Sequence, residues 1–211
     1  MFLQSKINKR LDVIGINVIN KKINVFEFKD MLNKSFADMG VKVTVKKNKN
    51  LKETNDMIFE GFFDPTLSFE NDEKDIEIVL SFYDNYNINL NSEDYEKYKF
   101  LFSLVLQHEL IHRYQQERRG DNFQREYSSK KKSEQYFGNP DEIDARAHDI
   151  SLEITRNKCY NLLHNPREAS LLTSETLFTY VVLFNSNSKV FKRLMKKVYQ
   201  CINLPMCQWK S

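Results

Sequence analysis

Glycine and proline are scarce in this 211-residue chain, five and four residues, which excludes collagen-like, linker-rich and loop-dominated architectures. Cysteine is scarcer still. Cys159, Cys201 and Cys207 are odd in number and widely spaced, so they offer neither a disulfide framework nor the paired C-x-x-C spacing of a structural zinc site. No stretch approaches the roughly 18 apolar residues that cross a bilayer. The opening MFLQSKINKRLDVIGINVIN carries charge and no continuous apolar core, so no secretory signal is read there. The expectation is a reduced, cytoplasmic protein with no membrane partner. An excess of one charge is also lacking. The 32 basic and 29 acidic residues leave +3, less than a dedicated nucleic-acid binder carries. Two lysine runs, Lys46-Lys47-Asn48-Lys49 and Lys130-Lys131-Lys132, keep nucleic acid as a second-choice partner, with a solvated loop as the ordinary reading of each.

What the chain does have is core material. It is 41% hydrophobic and 13% aromatic, which excludes disorder, and the length suits one domain with a helical extension. No internal repeat appears. From Asn24 to Met39 the apolar residues Val25, Phe28, Leu32, Phe36 and Met39 step by three or four, predicting a helix stopped by Gly40. Val41, Val43 and Val45 then alternate with Lys42, Thr44 and Lys46, a half-buried strand. Further strands are predicted over Met57–Phe63 and Ile76–Tyr83. Asn91 or Ser92 caps a long helix from Tyr95 to Glu117, with Glu93 and Asp94 in its first turn. Its middle, Phe100 to Leu106, is apolar almost all round, the mark of a buried helix. Asn139-Pro140 opens another helix, with Ile143, Ala147, Ile150 and Ile154 as its core stripe. Two more are predicted near Pro166–Phe184 and Lys189–Cys201. The order of elements makes the fold class α+β.

Near the end of the buried helix stands His108-Glu109-Leu110-Ile111-His112. Residues four apart share one helix face, so both imidazoles can reach a single Zn²⁺. Glu109, beside the first histidine, can take a proton from a water on the metal and pass it to a leaving amine. A polar trio on so apolar a helix needs a partner. Catalytic zinc takes three protein ligands, and the H-E-x-x-H-x-x-G-x-x-H extension is absent, since Gln115 and Arg118 hold its Gly and His positions. The third ligand is then sought in Asp141, Glu142, Asp144 and His148. Helical geometry leaves these open, because Asn139-x-x-Glu142 also reads as a capping box. Tyr127, Tyr136, Arg146 and His148 are candidate donors to the oxyanion of a tetrahedral intermediate, with Tyr136 the first to test. Cys201 and Cys207 read as buried thiols, Trp209 as a residue that docks the tail or sits in an interface, and His164 as a turn or C-terminal helix residue.

Together, His108-Glu109-Leu110-Ile111-His112 and Asn139-Pro140-Asp141-Glu142-Ile143-Asp144-Ala145 resemble the zincin metallopeptidases of gluzincin type. More narrowly, they resemble short phage-type metallopeptidases, in which an N-P-x-E-x-x-A element on a following helix supplies the third ligand. The resemblance covers about residues 76 to 155. It implies a single zincin-like domain over 1–211, with an N-terminal helix, a small, mostly antiparallel sheet and a buried active-site helix within 20–120. The helical part over 139–211 carries the third ligand. It implies His108, His112 and Glu142 as zinc ligands, Glu109 as general base, and Ala145 as the small residue that lets two helices approach. The chain departs from thermolysin-like enzymes in the longer gap between His112 and Glu142 and in lacking an Asn-Glu pair at the third ligand. In such folds the strand before the active-site helix binds extended peptide by its edge, a role that falls here to Ile76–Tyr83. The implied activity is zinc-dependent hydrolysis of peptide bonds in a polypeptide substrate. The alternative is a nucleic-acid-associated or virion assembly protein that keeps the fold and acts on DNA-bound proteins, or is inactive.

Overall fold

The computed structural model describes residues 2–51, 56–67, 74–83, 86–119 and 133–203. The chain falls into two compact units, Met1–Arg113 and Tyr114–Ser211.

The first unit opens with a helix that composition alone leaves unmarked, α1 (Phe2–Val18). Ile7, Leu11, Ile14 and Val18 are buried at steps of four, three and four, one face of a helix. A short strand β1 (Lys22–Asn24) leads into α2 (Val25–Phe36). Asn24 caps α2 in a full capping box: its side chain accepts from the Phe26 amide at 2.9 Å, and its own N–H donates to Glu27 at 3.3 Å. The periodic segment ends in one 3₁₀ turn, Ala37–Met39, and Gly40 closes it at φ 69°, a left-handed conformation that glycine adopts without a Cβ penalty.

Three strands follow: β2 (Val41–Lys47), β3 (Met57–Phe63) and β4 (Ile76–Phe82). They form one sheet in the order β2-β4-β3. β2 runs parallel to β4, with Val43 opposite Ile78, and β3 runs antiparallel, with Gly61 opposite Ile78. β1 pairs antiparallel with β5 (Asn87–Asn89) in a separate ribbon. The sheet is thus mixed, and it corrects one expectation. Ile76–Phe82, read as the peptide-binding edge, is the central strand and is hydrogen-bonded on both sides. Its near-continuous apolar run is the signature of that central position. β3 alternates buried Met57, Phe59 and Phe63 with exposed Ile58, Glu60 and Phe62. It is an outer strand of the sheet, as is β2. At β2, however, the Asn33 amide already occupies the outer edge, accepting from Val43 N–H at 2.7 Å and donating to Val43 C=O at 3.0 Å.

α3 (Ser92–Arg119) is 28 residues long. Asn91 caps it by accepting from the Asp94 amide at 2.8 Å. β3 runs along it. The Met57 amide donates to the Tyr98 hydroxyl at 3.3 Å, and Phe59 packs edge-on to Phe102 with centroids 5.6 Å apart. Gly61 then meets Val105 and Glu109. The division between the two units falls inside this continuous helix, after Arg113.

The second unit contains the end of α3, a short helix α4 (Ser133–Phe137), α5 (Pro140–Asn157), α6 (Glu175–Leu183) and α7 (Lys189–Asn203). The predicted stripe of Ile143, Ala147, Ile150 and Ile154 is buried against Leu177, Tyr180, Phe191, Leu194 and Val198. The helix expected over Pro166–Phe184 is shorter than its pattern. Pro166–Glu168 is a 3₁₀ turn, and α6 begins only after Ser174. The cause is local: the Ser170 carbonyl accepts from the Thr173 and Ser174 amides and from the Thr173 hydroxyl, and such Ser/Thr bonds compete with the helix ladder. No described helix is long and apolar enough to cross a membrane.

Candidate metal centre

His108, Glu109 and His112 are 5%, 4% and 1% exposed, on a turn of α3 whose neighbours Leu106 and Ile111 are also buried. The two imidazoles converge, with Nε2 atoms 3.1 Å apart and ring planes at 77°. Two nitrogens held by one tetrahedral zinc lie about 3.3 Å apart, from Zn–N bonds of roughly 2.0–2.1 Å. Arg113, the next residue, is anchored away from this face. Its guanidinium makes a two-pronged pair with Asp75, Nε to Oδ2 at 2.6 Å, and also donates to the Met39 carbonyl at 2.9 Å. That pair ties the histidine turn to the start of β4.

Glu109 faces the middle of β3. A Cβ placed on Gly61 would lie 2.7 Å from Glu109 Cγ, 2.7 Å from Val105 Cγ1 and 2.8 Å from Glu109 Oε1. Only a residue without a side chain leaves room there for the carboxylate. Sequence reasoning missed this glycine because an isolated Gly in a strand signals close approach without naming its partner.

Asn139 caps α5 by accepting from the Asp141 amide at 2.9 Å, while the Asn139 N–H goes to the Tyr136 carbonyl at 3.1 Å. The capping-box alternative required that N–H for Glu142. Glu142 is instead 4% exposed. His108, His112 and Glu142 each offer one ligand atom, all within 4.8 Å of one another, and this buried group could hold a metal ion. Two imidazole nitrogens and a carboxylate oxygen are a donor set that suits a borderline divalent ion.

The other acids of this helix are engaged elsewhere. Asp144 pairs with Lys197 at 3.2 Å. Asp141 pairs with Arg119, and its carbonyl accepts from Gln115 Nε2 at 3.1 Å. His148 is half-buried, on the turn whose carbonyl accepts from Ser151. Ala145 is fully buried.

Tyr136 does come beside Glu142 and Arg146; burial, and then the Glu142 charge, push its hydroxyl up to about 12. Arg146 lies between two acids, Nε 3.7 Å from Glu142 and one NH group 3.4 Å from Asp149. Burial opposes its charge, but Asp149 and Glu142 outweigh that and hold its pKa above the ordinary value. One helical turn on, Glu153 accepts from the Ser174 and Thr176 hydroxyls, and burial raises it to about 6. Arg146 and Asp149 follow Glu142 at the i+4 and i+7 positions of one helix face, a spacing legible in the sequence. Tyr127, Gly120, Cys207, Trp209 and Lys130–Lys132 lie outside the described residues. Cys201 and Cys159 are half-buried and form no disulfide among the described residues, and His164 is exposed after a 3₁₀ turn.

Compared with known protein families, with curated proteins and with solved structures, the chain matches none.

Proposed function

We propose that this chain is a zinc-dependent peptide-bond hydrolase, with His108, His112 and Glu142 as the metal ligands. The observation that carries the reading is the convergence of two helix-borne imidazoles and a buried carboxylate, with a second buried carboxylate, Glu109, next to the first imidazole. Bound there, zinc supplies Lewis acidity, polarising a carbonyl and lowering the pKa of water toward 7. The chain's own residues do the rest. Glu109 takes the proton from the attacking water and returns it to the departing amine. Gly61 keeps the space in which that carboxylate sits. The Tyr136 hydroxyl stands beside Glu142 and is the candidate donor to a developing oxyanion. Arg146 engages one side of Glu142 and is itself balanced by Asp149. The outer edge of β3, beside Glu109, suits an extended polypeptide added as a further strand.

The test is metal content by elemental analysis on untagged protein never exposed to chelator, followed by hydrolysis of a peptide library. One zinc per chain with hydrolysis, and a Glu109→Gln variant that keeps zinc and loses turnover, is the expected result. No zinc, and none taken up on reconstitution, refutes the ligand assignment. Turnover retained in Glu109→Gln refutes the role of the base.

A further inference from the structure

Helix α7 carries a feature unrelated to the metal centre. Its 15 residues, KVFKRLMKKVYQCIN, include five cations and no acid. The apolar residues Phe191, Leu194 and Val198 are buried in the core of the second unit. The exposed residues are Lys189, Lys192, Arg193, Lys196, Tyr199, Gln200 and Asn203. At 100° per residue these seven share one arc of about 120°. The solvent face is therefore purely cationic at its N-terminal end and uncharged polar at its C-terminal end.

Ordinary surface helices intersperse acids at i+3 and i+4, because like charges at that spacing repel. Here Arg193 and Lys197 reach back to Asp144 on α5, at 4.0 and 3.2 Å. Lys189, Lys192 and Lys196 have no ion-pair partner among the described residues. They recur once per turn over about 10 Å of helix, while each strand of a nucleic-acid duplex carries a phosphate every 3.4 Å or so along its axis.

We propose that this face of α7 docks on the phosphate backbone of a nucleic-acid duplex, independently of base sequence. Membrane insertion does not fit, since the apolar side of the helix is already used in the core and none is left to enter lipid. Tyr199, Gln200 and Asn203 continue the row with neutral hydrogen-bonding groups of the kind that contact phosphate and sugar oxygens. Of the two lysine runs noted in the sequence, the one at Lys46–Lys49 lacks this geometry, since Lys47 sits 4.4 Å over the Tyr86 ring at the end of β2; Lys130–Lys132 lie outside the described residues. The surface was missed in the sequence because its cations are separated by apolar residues and form a row only once the helix is wound.

The experiment is fluorescence anisotropy of a short labelled DNA duplex with the full chain, titrated across roughly 50 to 200 mM salt. Four phosphate contacts, from Lys189, Lys192, Lys196 and the exposed Arg193, whose pair with Asp144 is long at 4.0 Å, predict a log–log slope of about −3.6 and an affinity loss on the order of 100-fold over that range. Lys189→Gln, Lys192→Gln and Lys196→Gln combined should flatten the slope to about −1 and leave only a several-fold salt effect. Thermal melting by circular dichroism should be unchanged, since all three side chains are exposed. Lys46→Gln with Lys49→Gln should leave the slope intact. A flat slope in the unaltered chain, or unchanged binding by the triple variant, overturns the proposal. So does equal or tighter lysine-dependent binding of polyglutamate or of phosphatidylserine vesicles, which would assign the surface to an acidic protein or a membrane. None of these outcomes depends on whether the metal site is catalytic.

Discussion

Gly61→Ala is the substitution that probes the metal centre most directly without touching a ligand. The new methyl would sit 2.7 Å from both Glu109 Cγ and Val105 Cγ1, where carbon atoms ordinarily keep 3.5–4.0 Å. Roughly 1 Å of separation must be found. Val105 is β-branched and restricted about χ1, and β3 is held by its pairing with β4, so Glu109 is the group that yields. Overpacking of this kind costs about 1–3 kcal/mol, which corresponds to a fall in Tm on the order of 2–12 °C. A displacement of about 1 Å in a reacting group costs on the order of 100-fold in rate. The expected phenotype is therefore zinc content near that of the unaltered protein, a modest loss of Tm, and a large loss of kcat/KM. Differential scanning calorimetry, elemental analysis and peptide hydrolysis measure the three quantities. In a Glu109→Ala background two of the three close contacts vanish, and Gly61→Ala should destabilise less than it does alone, a coupling that a double-mutant cycle reads. A Gly61→Ala protein with unchanged Tm and rate would refute the placement of β3 against Glu109.

Other perturbations separate the parts of the site. Glu142→Gln should weaken zinc retention by at least tenfold, measured by competition with a chelating dye, and unchanged affinity would return the third-ligand role to a neighbour. Asp75→Asn should cost about 3–5 kcal/mol in urea unfolding, because Asp75 is 4% exposed and its loss leaves the Arg113 charge without its carboxylate. Replacing both partners by Leu and Met should cost less than that single change. Glu153 gives a pH signature. Its folded pKa of about 6 lies above the ordinary 4.5, so the folded state binds the proton more tightly than the unfolded one. This contribution to stability is full below about pH 4.5 and fades as the pH rises through 6, by about 2 kcal/mol in total. Glu153→Gln should remove that fall, and a Tm profile between pH 4.5 and 8 that keeps its shape in the variant would contradict the assignment.

The motif, the strands and the helix caps were legible because each rests on a local rule. His108 and His112 share a face by helical period, Val41, Val43 and Val45 alternate by strand period, and Asn139-Pro140 is a start signal whatever surrounds it. Helix α1 was not legible as such: its buried residues Ile7, Leu11, Ile14 and Val18 share the chain with exposed Val13 and Ile16, and the apolar stripe is blurred. The order of strands was hidden for another reason. Whether Ile76–Phe82 lies at an edge or in the centre depends on which strands return to it, and β2 reaches it across the whole of β3. On sequence spacing alone Glu142 sat between a cap and a ligand; the Asn139 amide goes to the Tyr136 carbonyl and not into a capping box, a partner that local spacing does not name. Gly61 belongs to the class of long-range roles, carried by an ordinary residue whose meaning comes from what is brought beside it.

The side chain of Asn33 bears on how copies of this protein can meet. A primary amide presents the donor and acceptor of a peptide group, and here both are spent on Val43, so α2 stands in for the neighbour that β2 would otherwise recruit. A sheet open on both sides can grow without limit, each arriving chain exposing a fresh place for the next. A sheet stopped on one side can receive a single addition, after which two blocked ends face outward. Aggregation through strand pairing should then halt at pairs of molecules, and replacing Asn33 by a residue such as leucine would convert a self-terminating contact into one that propagates.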